Sequence, residues 1–257
     1  MNLEPNRPGR FVNAAQALRD RVGKLSPQTE PLLVILVAFG LPMARSLWTF
    51  LTATVHPVLS EEHLRQTLIL EPLLLTLLGT FLWLRGWSLR RLGLNQWLPT
   101  GREALEGFAL FLVAQLIHYA AFLTLYLALQ IVAMIFMGHA VTIAALTPGS
   151  TPAFITRGFT LPTVLVGSIL NPIFEEVLVC GYIISALRDH RGLKVAFVVS
   201  VAIRTTYHLY QGAYGAFSIL VLGTLAAGWY ARQRTLWPII VAHGLFDFVG
   251  LIGYLGR

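Results

Sequence analysis

Seven apolar runs, at about 31–55, 66–84, 104–137, 159–187, 195–210, 213–230 and 236–254, leave this chain few ways to fold. A helix needs about 20 mostly apolar residues to cross a bilayer. In hydrocarbon only helices and closed barrels satisfy their own backbone, and runs this long read as helices. The chain is 56% hydrophobic and 12% charged, against roughly 25% charged in a soluble domain. The predicted fold is an all-α, polytopic membrane bundle of seven or eight transmembrane helices. Two runs are over-long. Residues 104–137 would extend about 50 Å as one helix, so they form either a tilted helix with an extension or two elements. Residues 159–187 contain Asn171-Pro172, and proline breaks or kinks a helix interior. The expectation there is a short helix, a break and a second helix.

Residues 1–30 read as a cytoplasmic tail, in which FVNAAQALRDRVGKL is able to lie on the membrane surface as an amphipathic helix. The tail lacks the uninterrupted apolar core of a secretory signal. Residues 31–257 read as one transmembrane domain. The formal charge of +7 does not point to nucleic acid, because the basic residues fall in short loops, where Lys and Arg mark the cytoplasmic side. With the N-terminus inside, fourteen basic residues fall inside and three, Arg65, Arg157 and Arg257, outside. The expected topology is a multi-pass protein of the cell membrane, N-terminus cytoplasmic and C-terminus outside. The single cysteine, Cys180, excludes an intrachain disulfide.

Arg45 and Glu71 fall within the first two spans. Arg45 stands about 20 Å up from the inside and Glu71 about 8 Å down from the outside. In a core of about 30 Å these depths nearly coincide. A structural Arg45–Glu71 ion pair is expected; the rival reading has Arg45 lining a water-filled cavity.

The most informative stretch is NPIFEEVLVCGYI, residues 171–183. Glu175 and Glu176 stand side by side among Ile, Phe, Val and Leu. Ionisable groups at membrane depth are costly and read as functional by default. A pair reaching for headgroups from a helix end is the bland alternative, but the apolar run continues on both sides. Two later spans add Arg204 and His208, in AIRTTYHLYQG, and His243 and Asp247, in VAHGLFDFV. Counted from the cytoplasmic ends, Glu176 lies about 16 Å in, His208 about 21 Å and His243 about 14 Å. Each pair is four residues apart, on one helix face. A carboxylate so placed can fix a histidine's tautomer and orientation. His118 and His139 read instead as a satisfied bundle histidine and a loop residue.

Such a set suits hydrolysis of a peptide bond by an activated water. A glutamate takes the water's proton while a histidine assists or holds the water. A second histidine with a polar neighbour faces the oxyanion. Glu175, His208 and His243 also have the ligand types for a divalent metal such as zinc, although the HExxH spacing is absent. There is no GxSxG, so a serine hydrolase has no support.

These motifs, in order, resemble the CPBP family of intramembrane endopeptidases, which includes the type II CAAX prenyl proteases and bacterial relatives linked to bacteriocin immunity. The family pattern is EExxxR, then FxxxH, then HxxxN or HxxxD, on successive membrane helices. Here EEVLVC, RTTYH and HGLFD stand in those places within residues 171–247, and LGL at 92–94 is also similar to the family. The resemblance implies a glutamate-dependent intramembrane endopeptidase. Glu175 would activate water with help from His208, Glu176 would support it, and His243 with Asp247 would face the oxyanion. Asp247 replaces the Asn of other relatives; an ionised aspartate would repel an oxyanion, so it is protonated or it orients His243. Cys180 stands where the family has arginine, and Arg204 where it has phenylalanine. On antiparallel helices both positions shift towards one membrane face, each by about 6 Å. Arg204 is therefore expected to supply the guanidinium from the opposite wall, with small Cys180 making room.

The implied partners are membrane lipids and a membrane-associated peptide or protein, prenylated in the namesake enzymes, and no nucleic acid. Two readings from other classes stand beside this one. A catalytically silent scaffold or bacteriocin-immunity protein is favoured by the two altered motifs. A proton-coupled transporter would use the same residues as a relay, but many transporters show an internal repeat and this chain has none.

Overall fold

The computed structural model describes residues 23, 25–52, 59–139 and 158–255. The expected surface helix of the N-terminal tail lies almost wholly outside the described residues. Seven helices follow in order: α1 (Thr29–Thr52), α2 (Glu61–Leu84), α3 (Gly101–Met137), α4 (Leu161–Arg191), α5 (Leu193–Tyr207), α6 (Gly212–Gln233) and α7 (Trp237–Ile252). The architecture is an all-α membrane bundle. Helices α1 to α4, and the segment Leu209–Gln233 that contains α6, are long and apolar enough to cross a membrane, while α7 is a shorter apolar helix.

Caps set the helix starts where hydrophobicity alone cannot. At α2, Ser60 Oγ accepts the His63 N–H at 3.0 Å. At α3, Thr100 Oγ1 accepts the Glu103 N–H at 3.1 Å while Glu103 Oε2 accepts the Thr100 N–H at 2.9 Å, a reciprocal capping box. From that start α3 runs unbroken for 37 residues to Gly138, whose φ of 74° ends it. The over-long run is thus one helix of about 55 Å.

The break expected at Asn171-Pro172 is not there. The α-helical part of α4 passes through Pro172 to Glu175, continues as a nine-residue π-helix, Glu176–Ile184, and returns to α-helix over Ser185–Arg191. Proline lacks the N–H that would serve the carbonyl of Ser168, four residues back. That carbonyl instead faces Gly244 of α7, so closely that a Cβ on Gly244 would collide with it. Gly244, with no side chain, lets α7 come close to α4 at this point. The irregularity appears one turn later, as the wider π winding. There Ser200 Oγ donates to the Val179 carbonyl at 2.9 Å, and the Tyr230 hydroxyl lies 3.1 Å from the carbonyl oxygens of both Gly181 and Leu92.

The π segment is buried from end to end and forms the centre of the core. Around it, α7 packs on α3 and α4, α5 packs on α1 and α6, and α2 packs on the first part of α4. The basic loops meet at one end of the bundle. Arg91 pairs with Asp189 at 3.4 Å, and the Leu236 N–H donates to the Gly93 carbonyl at 3.0 Å. Buried Glu30 gathers donors there from Arg85 Nε at 2.5 Å, Trp87 Nε1 at 2.8 Å and the Tyr182 hydroxyl at 2.9 Å.

The expected Arg45–Glu71 ion pair does not form among the described residues. Similar depth was not enough, because α1 rests on α5 whereas α2 rests on α4. Arg45 is exposed and has His63 as an electrostatic neighbour, while Glu71 has Glu175, Asp247 and His243.

Gly107 is where α3 and α7 touch. A Cβ there would lie 2.6 Å from Val241 Cβ and 2.8 Å from the Pro238 carbonyl oxygen, whereas one on Gly79 would meet nothing. Gly107→Ala should cost about 1–3 kcal/mol by overpacking. It should lower the melting temperature in detergent, with Gly79→Ala as the unaffected control.

Candidate active site

The π turn of α4, the end of α5 and the middle of α7 bring the acids and imidazoles together. Glu176 is 0% exposed. Its Oε1 accepts from Arg204 Nη1 at 2.7 Å and from His243 Nδ1 at 2.7 Å. A carboxylate only accepts, so this contact assigns the Nδ1 proton of His243. The second oxygen, Oε2, is buried without a partner among the described residues. Arg204 fits because small residues flank it. Cys180 Sγ lies 4.0 Å from Nη2, and a Cβ on Gly223 of α6 would lie only 3.0 Å from Arg204 Cδ.

Glu175 faces the other side of the same imidazole. Its Oε2 accepts the Tyr207 hydroxyl at 2.5 Å and lies 4.0 Å from His243 Nε2. The Tyr207 ring is stacked on Phe39 of α1 at 5.1 Å, so the donor is held by packing. Asp247 Oδ1 lies 3.6 Å from His243 Nε2, and Asp247 Oδ2 accepts from Asn171 Nδ2 at 2.9 Å. Of the acids, Glu176 is the one within hydrogen-bond distance of His243.

His208 stands at the C-terminal end of α5, where the chain turns through Leu209–Gln211 into α6. Its Nδ1 lies 3.0 Å from the Arg204 carbonyl oxygen. A carbonyl only accepts, which puts the proton on Nδ1 and leaves a lone pair on Nε2.

Glu175, Glu176, Arg204, His208, His243 and Asp247 all line one cavity of about 120 Å³. A polar cavity of this size is large enough to hold water. Gln211, just before α6, adds an amide, and the remaining walls are apolar, from α3, α6 and α7. Among the described residues no three His, Cys, Asp or Glu side chains are grouped to hold a metal ion. Glu175, His208 and His243 share the cavity without forming a ligand set, so the residues as arranged do not fit a metal.

Sequence reasoning missed three contributors. Tyr207, beside His208, carried no signal apart from that adjacency. Asn171 was read as part of a helix break. Gly223 lies in a span with no charged residue to draw attention to it. The other singled-out histidines stand elsewhere: His118 pairs with Ser218 Oγ at 2.8 Å, and His139 follows the end of α3.

Residues 157–249 match the family described as "Type II CAAX prenyl endopeptidase Rce1-like". This segment is similar to an Rce1-like domain. It begins just before α4, ends within α7 and contains the EEVLVC, RTTYH and HGLFD motifs, while LGL at 92–94 lies outside it. The match covers little more than a third of the chain, and α1 to α3 lie outside it. No curated protein and no solved structure matches the chain.

Within the matched segment, Arg204→Phe would strand a fully buried Glu176. Breaking a buried pair costs about 3–5 kcal/mol. Cys180→Arg would crowd a second guanidinium into the same space. Each single variant should lower the melting temperature, and the double variant should recover most of the loss. A double variant as unstable as the two single losses summed would show that Arg204 does not serve Glu176.

Proposed function

We propose that this protein is an intramembrane endopeptidase that hydrolyses a peptide bond of a membrane-associated peptide or protein. The observation that carries the reading is the meeting of Glu175, His208 and His243 around one water-sized cavity inside an Rce1-like domain. A water held between the Glu175 carboxylate and His208 Nε2 gives a proton to Glu175 as its oxygen attacks the carbonyl carbon. The carbonyl oxygen becomes an oxyanion, which His243, anchored through Nδ1 on Glu176, meets from Nε2 in its doubly protonated form. Asp247, held by Asn171, offsets the charge of that imidazolium. When the intermediate collapses, the C–N bond breaks and the amine leaves with a proton. No step in this scheme needs a metal.

The family description makes a prenylated C-terminal peptide the first substrate to try. The reading also places the basic end of the bundle in the cytoplasm, with the N-terminus inside and the C-terminus outside. The only native cysteine is buried, so a cysteine introduced at exposed Trp97 can be labelled selectively. In intact cells it should resist a membrane-impermeant maleimide and react once the membrane is opened.

The scaffold reading keeps one observation in its favour, the altered positions Cys180 and Arg204. Glu175→Gln separates the two. An enzyme should lose activity on the order of 100-fold or more, whereas a scaffold should be unaffected. Membrane proteomics of wild type against Glu175→Gln should show peptides whose termini depend on Glu175. Identical termini in both strains would sink the protease reading.

A further inference from the structure

We propose that the groove between α2 and α7 is a binding site for an anionic membrane phospholipid, which lays an acyl chain along α4 and its phosphate at Arg90. The site goes beyond the protease reading and does not depend on it. Helices α2 and α7 both rest on α4. The gap between them is lined by Ile173, Val177 and Leu178 of α4 and by Trp237 of α7. It holds about 1430 Å³, more than the roughly 300–1,000 Å³ of small-molecule pockets. On the α2 side Gly79 leaves it open, since a Cβ there would meet nothing within 4 Å. Thr76 and Thr80 add little polarity, because their hydroxyls donate to the Pro72 and Thr76 carbonyls at 2.7 and 2.8 Å. The body of the groove is therefore apolar.

Its strong donors gather at one end. They come from the loop after α2, at the basic end of the bundle, and no Asp or Glu stands among the lining residues. Arg85 is committed to Glu30. Arg91, just outside the lining, lies over the Trp87 ring at 3.9 Å and pairs with Asp189. Exposed Arg90 lines the mouth and has no hydrogen bond or ion pair among the described residues. The Asn95 side chain is exposed beside it in the same lining. Trp83 and Trp97, both exposed, stand at this end, and tryptophan favours the level where acyl chains meet headgroups.

An apolar trough capped by an unspent guanidinium is complementary to an amphiphile with a negative head. Basic pockets between transmembrane helices take anionic lipid headgroups in this way. With the basic end in the cytoplasm, the groove opens in the leaflet where such lipids collect. A chain carried by a substrate fits less well, because no residue lines both the groove and the reaction cavity. Along α4, Glu175 and Glu176 line the cavity while Val177 and Leu178 line the groove. The lipid thus lies against the π segment without reaching the acids.

Native mass spectrometry of the purified full-length protein tests this. The probes are dioleoyl-phosphatidylglycerol, dioleoyl-phosphatidylcholine, inorganic phosphate and an S-farnesylated peptide. Phosphatidylglycerol should bind about fivefold more tightly than phosphatidylcholine, the worth of one basic residue at an anionic headgroup. Arg90→Gln should remove that difference. Arg232→Gln, at an exposed arginine outside the groove, should leave it intact. Gly79→Phe should fill the groove and abolish binding. Gly79→Cys decides the matter should the larger side chain disturb folding. The native cysteine is buried, so the new thiol alone takes a maleimide dye, and phosphatidylglycerol should slow its labelling more than phosphatidylcholine does. Equal binding of the two lipids, an Arg232→Gln loss as large as that of Arg90→Gln, or labelling that phosphatidylglycerol does not slow would overturn the site. Displacement of the lipid by phosphate alone would reduce it to an anion site, and displacement by the farnesylated peptide would make it a substrate groove; either result overturns the lipid assignment.

Discussion

A carboxylate fully withdrawn from solvent in a membrane bundle survives only with its counter-charge in place, and the Glu176–Arg204 pair is the condition on which the site is built. Glu176 belongs to α4, Arg204 to α5, and His243, which shares the same oxygen, to α7. One acceptor atom thus ties three helices. Moving any of them would leave a charge or an imidazole without its partner, so the junction sets the register of the helices as well as the chemistry. It also frees Glu175. With its neighbour compensated, Glu175 can face the cavity with one tyrosine hydroxyl as its hydrogen-bond donor.

The backbone of α4 serves this junction. Pro172 gives up a hydrogen bond at Ser168, and Gly244 of α7 presses against the carbonyl so released. That approach brings His243, the residue before Gly244, up to the glutamates. The π winding begins at Glu176 itself. Single π turns inside α-helices are often found at functional sites, and here the wide turns coincide with the paired acids. Glycine and cysteine, at Gly223 and Cys180, leave the space the guanidinium fills.

What the sequence made legible was governed by the bilayer. Its apolar interior demands long apolar runs, so the seven helices among the described residues could be read from hydropathy, with ends within a few residues. The polar residues of the site could be read because each stands out against an apolar run. Features decided by packing between helices could not. Pro172 looked like a break because its rescue comes from α7, far away in sequence. Arg45 and Glu71 looked like partners because depth is readable while rotation about the helix axis and choice of neighbour are not. Tyr207 and Gly223 carry no periodic mark at all. Where two departures from the family pattern fell on facing helices, simple geometry sufficed, and Arg204 lies against Glu176 from the opposite wall.

The length of α3 has a consequence for how the site meets its surroundings. A helix of 37 residues far exceeds the roughly 30 Å of hydrocarbon available, and a hydrophobic stretch that exceeds the local hydrocarbon leans, kinks or locally thickens the lipid. Leu110 and Ala114 of that helix form part of the cavity wall. Acyl-chain length in the host membrane therefore becomes a structural variable of the cavity, transmitted by the lean of a single helix rather than by any ligand.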